Sequence, residues 1–389
     1  MPVIVPFEVC RTQQKKLIIC MSSTHWHFLW QRPQQLMSRL SKYYNILYVD
    51  PPFQVATENK PGLLHPSLFA RRIATISHSL KVLSPFQDQA ADAIENLQLL
   101  VSQIRKALSQ LHWSEQPLLW IYNLPASQLI GSLREYGVVY DCVDSFTSFS
   151  WADPQTAEWE SQLLHRADLV FTSAKTLYSE RVQQNKHTYL IPNAADYGHF
   201  VRSGSYDTEP PEFKSIPRPR LGFIGAAYEW VDFKLLQAVA QSNPSWNLIM
   251  IGPRQHGLEL PLEPNIHWLG ARDYKMLPWY LQYLDLMIIP FIRNETTVHA
   301  NPIKLWEYLA AGKMVVATDL PEVPAVSELI WKCQNPEEFM TQCSQALELL
   351  KNNALRLEAS KRARDIAKKN SWERRCEEIR AYLKQYFNI

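Results

Sequence analysis

Short apolar runs alternate along the first half of the chain with segments whose apolar positions recur every three or four residues. The apolar runs lie at residues 17–21, 46–49, 81–83, 118–122, 138–140, 169–172 and 188–191. Helical patterns lie between them, at residues 33–40 and in a long amphipathic segment at 88–111. Continuous apolar strands separated by helices predict a parallel sheet that is covered on both faces.

The alternation breaks at residues 204–219, which contain four prolines and several charges without an apolar period, so they are predicted to be a linker. It then resumes with apolar runs at 221–224, 248–251, 266–269, 286–290 and 314–317 and three final helices at 336–350, 354–369 and 372–387. The pattern predicts an α/β chain with Rossmann-like domains at 1–203 and 220–370. A ligand is expected in the crevice between them, at the carboxyl ends of the strands.

Composition narrows the class of protein. The length of 389 residues suits two domains, and a net charge of +2 gives no sign of nucleic-acid binding. Six scattered cysteines without a CxxC pair predict free thiols and a cytoplasmic location. No signal-peptide pattern is expected in residues 1–20, and no apolar run reaches 18 residues. Only 11 glycines occur, about half of average usage, and no dinucleotide-binding or P-loop glycine motif is present.

The basic stretch at residues 351–380 holds ten Lys or Arg against five Asp or Glu. A solvated helical face is the prediction, and peripheral contact with an anionic membrane is the alternative.

Residues 301–318 predict one complete helix followed by a buried strand. Asn301 is predicted to be the N-cap, Pro302 the first helical residue and Gly312 the left-handed residue after the helix. Lys304 and Glu307 lie one turn apart on a face expected to be polar, away from the apolar face that packs inward. The helix N-terminus favours an anion such as a diphosphate.

The run from Pro302 to Val316 resembles the nucleotide-sugar-binding helix of two-domain glycosyltransferases, specifically the retaining enzymes of family four. Within that family it is most similar to the bacterial sugar transferases of the teichuronic-acid type. Three further runs, at residues 30–36, 140–144 and 191–196, resemble the family's N-terminal signature, its mid-domain acidic motif and its P-N-G-x-D segment. The four motifs occur in the family's order across most of the chain.

The resemblance implies the GT-B fold, in which two Rossmann-like domains face each other across a cleft and a C-terminal helix, here 371–389, crosses back to the first domain. It implies transfer of a sugar, with retention, from a nucleoside-diphosphate sugar to a hydroxyl acceptor, a cell-surface polysaccharide or lipid-linked glycan. Glu307 would accept hydrogen bonds from the donor ribose. Gly225, Asn301, Pro302 and Lys304 would lie around the rest of the donor.

The sequence departs from the family at two places. His299 lies eight positions before Glu307, where the family has another glutamate, so it is either a donor contact or an ordinary loop histidine; Thr297 offers a hydroxyl in the same loop. The family's Arg and Lys after the first strand of the second domain are missing from residues 226–232. Another cation must therefore neutralise the diphosphate. The candidates are Arg32, Lys304, Arg254 and Arg293, the last two of which are also compatible with ordinary surface charge.

Candidates on the first domain follow its strands. Trp30 and His25 are expected on the acceptor side, and Arg32 is suited to phosphate. Asp141 and Asp144 come at the end of an apolar run, where they either bind the acceptor hydroxyl or sugar or cap the next segment. His25 and His27 lack a third ligand at a known spacing, so no metal is predicted there.

No cofactor and no metal are expected, because no Asp-x-Asp motif occurs in a metal-binding context and a positive helix end is available. A nucleotide-sugar epimerase of the same architecture is one alternative function. A non-catalytic binding or assembly subunit is another, because the glutamate and the Arg/Lys pair are missing. Either would be distinguished from a transferase by donor turnover with and without an acceptor.

Overall fold

The computed structural model describes residues 15–55 and 72–389; residues 1–14, including Cys10, and 56–71 lie outside this range. Eight strands form the sheet of the first domain, in the order β10-β9-β8-β7-β1-β2-β5-β4. They are β1 (Leu17–Met21), β2 (Asn45–Val49), β4 (Ile73–Ser77), β5 (Leu80–Leu83), β7 (Pro117–Ile121), β8 (Gly137–Cys142), β9 (Leu169–Thr172) and β10 (Thr188–Leu190). A separate pair consists of β3 (Phe53–Val55) and β6 (Phe86–Asp88). All pairings in the large sheet are parallel except β4 with β5.

Helices cover both faces of this sheet, as the continuous apolar strands predict. They are α1 (Arg32–Leu40), α2 (Ala93–Gln110), α3 (Thr156–Arg166) and α4 (Lys175–Arg181). Alternate residues of β1 enter different cores, Ile18 one and Ile19 the other. Helix α2 begins later than the predicted residue 88, because the Asp92 side chain caps it by accepting from the Glu95 N–H.

The second domain has a six-stranded parallel sheet in the order β13-β12-β11-β14-β15-β16. Its strands are β11 (Arg220–Ile224), β12 (Asn247–Ile251), β13 (Ile266–Gly270), β14 (Leu286–Ile289), β15 (Val315–Thr318) and β16 (Ile330–Cys333). Its helices are α5 (Tyr197–Phe200), α6 (Phe233–Ser242), α7 (Leu277–Gln282), α8 (Glu295–Val298), α9 (Ile303–Ala310), α10 (Pro336–Lys351) and α11 (Asn353–Lys369).

Residues 204–219 do not form an extended linker but pack along the second domain. A short 3₁₀ helix, Pro211–Ser215, lies within them, and Phe213 and Ile216 are buried in the second domain's core. The chain passes between the domains at Ala195, whose N–H donates to Asn370 O over 2.9 Å while its carbonyl accepts from the Trp372 N–H over 3.0 Å. The two crossings between the domains therefore lie side by side, at Ala195 and at residues 370–372.

The last helix, α12 (Trp372–Phe387), packs on the first domain. Trp372, Ile379 and Leu383 are completely buried in one of that domain's cores. Arg39 Nε on α1 also donates to Glu373 Oε1 over 2.7 Å. This confirms the C-terminal helix that crosses back. Among the residues that the structure describes, no helix is both long and apolar enough to span a bilayer.

Candidate active site between the domains

A cleft of about 510 Å³ lies between the two domains. The residues that line it follow the carboxyl ends of strands in both sheets: Asp144 follows β8, Gly225 follows β11, Gly252 follows β12 and Arg272 follows β13. Parallel strands deliver these ends to one edge of each sheet, and the two edges face each other. The cleft is where the sequence pattern places the ligand.

Glycine at position 252 allows two of these loops to lie in contact. Its φ is +147°, and an added Cβ would lie 1.9 Å from the Gly225 carbonyl oxygen. A side chain at Gly252 would therefore push the loop after β11 out of the cleft floor.

Helix α9 contributes its N-terminal end to the cleft wall through Pro302, Ile303 and Lys304. The predicted cap at Asn301 is wrong: the helix begins one residue later than expected, and Pro302 holds the N-cap position. The Asn301 amide is engaged elsewhere, because its Oδ1 accepts from Trp306 Nε1 over 3.1 Å. Gly312 has φ +77°, in agreement with the predicted left-handed residue.

Lys304 and Glu307 form an ion pair, with Nζ 2.9 Å from Glu307 Oε2. Glu307 was expected on a polar face, but it is 1% exposed. Helix α9 packs against both α5 and α11, which leaves Glu307 buried although Lys304 of the same turn stays partly exposed. Burial raises the pKa of Glu307, and Lys304 opposes the rise. Glu307 Oε1 is buried and finds no hydrogen-bond donor among the described residues. An unpartnered carboxylate oxygen is costly to bury, which marks it as a binding group.

Asp144 also lines the cleft, and burial raises its pKa from the ordinary value to about 7. No side chain in the described part of the chain donates a hydrogen bond to its carboxylate. At neutral pH this group is therefore present in both protonation states and can either accept or donate a hydrogen bond.

Arg32 and Asp141 form a different arrangement. The Arg32 Nε donates to Asp141 at 3.0 Å, and its Nη1 donates to Ile191 O at 2.7 Å and to Asn193 Oδ1 at 3.3 Å. Both side chains are almost completely buried. Arg32 borders the cleft with its charge compensated by Asp141, although its buried Nη2 makes no hydrogen bond to the described residues. Asp141 does not reach the cleft lining.

Five further candidates are not part of the cleft lining. Arg254 and Arg293 are exposed, and Arg293 Nη1 is 3.4 Å from Asp319. His299 Nε2 faces Glu180 at 3.8 Å, and Thr297 is used as a local cap because its Oγ1 accepts from the Asn294 N–H. His25 is mainly exposed, with its Nδ1 3.8 Å from Asp50. Trp30, in contrast, does line the cleft.

Sequence reasoning missed Arg272, one of three cations in the cleft lining with Arg32 and Lys304. Arg272 is held by Glu212 Oε1 at 2.9 Å and by the Tyr280 hydroxyl at 2.9 Å. The available signal was its position two residues after a strand end.

An aromatic group in the cleft was also missed; it comprises Phe28, Phe146, Phe149, Trp151, Tyr228, Trp230, Tyr274 and Phe291. The rings of Phe149 and Trp151 stack with their centroids 4.7 Å apart. The Phe149 ring also meets Trp230 of the other domain edge to face, with the centroids 6.5 Å apart. Hydrogen bonds also cross the cleft, from Ser150 Oγ to Glu229 Oε2 over 2.6 Å and from Asn193 Nδ2 to Asn301 O over 2.7 Å. The two domains are thus in contact around the cleft.

Comparisons with known proteins agree with this architecture. Residues 218–349 match the family model described as "Glycosyl transferases group 1". The putative teichuronic acid biosynthesis glycosyltransferase TuaH of Bacillus subtilis (strain 168) is 29% identical over 261 residues, which cover 60% of this chain and 64% of the relative. The match therefore spans less than two thirds of that relative's length.

Solved structures resemble the chain over nearly its whole length. Anabaena Alr3699/HepE, in complex with UDP and glucose, has a TM-score of 0.66 at 15% identity and covers 95% of this chain and 100% of its own. An α,α-trehalose-phosphate synthase (UDP-forming) from Burkholderia vietnamiensis has a TM-score of 0.65 at 10% identity. The match covers 96% of this chain and 99% of the synthase chain.

At these identities the structural likeness shows the fold, and the fold is that of the GT-B glycosyltransferases. The match to the group 1 glycosyltransferase model lies almost entirely within the second domain. The resemblance stated from the four sequence motifs is confirmed.

Proposed function

We propose that this chain is a glycosyltransferase that moves a sugar from a nucleoside-diphosphate sugar to a hydroxyl acceptor, with retention and without a metal. The observation that carries the proposal is the buried Lys304–Glu307 pair beside the cleft, which leaves Glu307 Oε1 without a donor. A vicinal diol supplies donors in pairs, and a carboxylate is the matching acceptor.

Donor binding on this proposal changes the ion pair. Lys304 lies in the cleft wall and Glu307 lies behind it, outside the lining. The ammonium would move from Glu307 to the diphosphate while the ribose hydroxyls take its place at the carboxylate. The backbone N–H groups at the start of α9 add positive potential at the same point. Arg272 is a further cation within the cleft.

UDP is the first nucleotide to test, because the HepE structures contain UDP and UDP-glucose. The name of the Bacillus relative includes teichuronic acid biosynthesis, which favours a polysaccharide or lipid-linked glycan as acceptor. The aromatic group of the cleft suits such a ligand, because ring faces pack against the apolar faces of sugars. Asp144 lies among these rings, and we assign it to the acceptor hydroxyl.

The departing diphosphate can itself take the acceptor proton in a retaining transfer, so Asp144 need not be a strong base. A group with a pKa of about 7 can orient the hydroxyl by accepting its hydrogen bond. This role places it in contact with the reacting oxygen.

The test is titration of UDP by calorimetry into the wild type and Glu307→Gln. Loss of a charged acceptor should weaken binding about tenfold or more. Glu295→Gln is the matched control, because Glu295 is an exposed acid in the preceding helix. Equal affinity in Glu307→Gln would remove Glu307 from the donor site.

Turnover separates the alternatives. Incubation with a labelled UDP-sugar should release UDP, faster with an acceptor glycan than with water alone. Interconversion of two UDP-sugars without release would indicate the epimerase instead. UDP binding with neither reaction would indicate a non-catalytic subunit.

A further inference from the structure

A second cavity, of about 440 Å³, lies at the amino ends of the second sheet's strands, on the edge opposite the donor cleft. Both ends of the 204–219 segment contribute to it, with Gly204 on one side and Arg218 on the other. The C-terminal end of α9, at Gly312, and helix α11 complete the wall. No part of the donor site described above belongs to this cavity.

The lining carries four cations, Arg218, Lys313, Arg356 and Arg364, against a single acid, Asp285. Arg218 is bonded to Asp285, so that acid is already used. The C-terminal end of α9 adds a partial negative charge of roughly half a unit, which offsets only part of the excess. The cavity therefore retains a net positive charge, with no carboxylate besides Asp285 in its lining.

Lys313 is the innermost of these cations. Its ammonium donates to Gln282 O at 3.1 Å and to Leu284 O at 2.6 Å. An ammonium has three donors, so one remains for a ligand. Burial lowers the pKa of Lys313 to about 8, and the three arginines act in the same direction against Asp285. The like charges are thus close enough to repel one another.

Arg364 and Arg356 also have N–H groups that remain available to donate hydrogen bonds to a ligand. Arg364 Nη2 donates to Ser203 O over 3.0 Å, while its Nε is buried and has no acceptor among the described residues. Arg356 is exposed and bonded only to Asn353 of its own helix. Leu357, which is 61% exposed, lies beside it in the lining.

We propose that this cavity binds a phosphate group, carried either by a soluble phosphate ester or by a lipid headgroup. A phosphate offers several acceptor oxygens and up to two negative charges, which an ammonium and guanidinium forks satisfy together. Its binding would join both ends of the 204–219 segment to α11 and remove the repulsion among the four cations.

The experiment uses the full chain and inorganic phosphate as the probe, with chloride at matched ionic strength. Phosphate should bind in calorimetry and raise the melting temperature. Lys313→Gln with Arg364→Gln should weaken binding at least tenfold, since each removed group is a charged hydrogen-bond donor. Arg356→Gln, at an exposed position that the fold tolerates, should weaken it in the same direction and serves if the double variant does not fold.

Two controls locate the site. Lys361→Gln with Lys368→Gln removes the same charge from exposed positions of α11 outside the cavity and should leave phosphate affinity unchanged. Lys304→Gln removes a cation from the donor cleft and should also leave it unchanged. An equal loss in the first control would show diffuse surface attraction, and loss in the second would place the phosphate in the cleft; either result overturns the proposal.

Vesicles distinguish the two sources of phosphate. Binding to phosphatidylcholine vesicles that contain phosphatidylglycerol, but not to phosphatidylcholine alone, and lost in Arg356→Gln, would identify a lipid headgroup. Binding of free phosphate and glycerol phosphate without vesicle binding would identify a soluble ester. Absence of binding in every arm would show that the cavity is not a phosphate site. None of these results depends on transferase activity.

Discussion

Each domain contains one buried ion pair close to the cleft, and the two pairs differ in what they leave unsatisfied. In the first domain, both oxygens of Asp141 accept from Arg32 Nε, and Arg32 Nη1 is used by Ile191 O and Asn193. In the second, Glu307 has one oxygen on Lys304 and one with no donor among the described residues. The first pair joins three chain segments and leaves a donor, the buried Arg32 Nη2, without a hydrogen bond to the described residues, whereas the second leaves an acceptor.

The unsatisfied atoms of each pair distinguish a structural residue from a ligand-binding residue better than the residue type does. Asp141 and Glu307 are both buried acids paired with a cation, and both lie in motifs that resemble those of a glycosyltransferase family. Buried ion pairs contribute little net stability when complete, but removing one partner leaves an uncompensated charge. A site intended for a ligand can hold that uncompensated group until the ligand arrives.

The largest effect is expected from deleting residues 371–389. The deletion removes Trp372, whose ring lies 6.0 Å from the Arg32 guanidinium, and with it the buried face of α12. The first domain should lose its cooperative unfolding transition, and transfer should be abolished, while UDP binding by the second domain can persist. Thermal unfolding followed by circular dichroism would check the first expectation, and UDP calorimetry would check the persistence of UDP binding. Full transfer activity in the truncated chain would show that α12 is dispensable.

The next largest effect is expected from Arg32→Leu, which leaves the buried carboxylate of Asp141 without its cation. We expect a loss of about 3–5 kcal/mol in the free energy of unfolding, measured with denaturant. The double variant Arg32→Leu with Asp141→Leu should recover much of it, because no charge remains unpaired. If the single variant unfolds like the wild type, the pair is not structural.

The strands could be predicted from the sequence because burial on both faces requires continuous apolar runs, which are local. Four strands lacked that signal. The short strands β3 and β6 form a separate pair, and β4 is an antiparallel edge strand with three of its five residues exposed. Strand β16 carries Trp331 and Lys332 as half-buried residues between two buried ends. The packing of residues 204–219 on the second domain was not predicted, because only a few apolar residues, Phe213 and Ile216 among them, lie between its prolines and charges.

Within the candidate site, the sequence could predict only contacts between residues that are close together along the chain. Lys304 and Glu307 are three residues apart on one helix, so their contact follows from the helix itself. The burial of Glu307 depends on α5 and α11, which come from distant parts of the chain. The pairing of Arg32 with Asp141 joins residues 109 positions apart, so the sequence did not show that Arg32 is already neutralised.

Glu307→Gln removes one charge of the second ion pair, as Arg32→Leu does in the first. Here, however, we expect only a small change in the free energy of unfolding. Neutralising a buried acid that lacks a donor removes a desolvation penalty, and Lys304 is partly exposed and can be solvated. We expect the free energy of unfolding to change by less than about 1 kcal/mol or to rise. A loss comparable to that of Arg32→Leu would make Glu307 a structural residue.

Asp144 gives an effect on stability that depends on pH. Its pKa is raised by burial to about 7, so the folded state binds a proton more tightly than the unfolded state does. The stability that Asp144 contributes is therefore greatest at low pH and declines as pH rises from about 4 to about 7. Asp144→Asn should be stabilised relative to the wild type by up to about 4 kcal/mol at pH 8 and by much less at pH 4. An equal difference at both pH values would contradict the raised pKa.

The smallest effect is expected from EDTA. If the positive groups at the cleft neutralise the diphosphate, chelation should change neither UDP affinity nor transfer rate by more than about twofold. Lys304 and the start of α9 would supply those charges together with Arg272, which is also paired with Glu212, and among the described residues no three metal-ligating side chains lie together. Lys304→Gln should then weaken UDP binding and remain insensitive to EDTA. Complete loss of transfer in EDTA, restored by magnesium or manganese, would show that the incomplete pair at Glu307 works with a metal rather than with these cations.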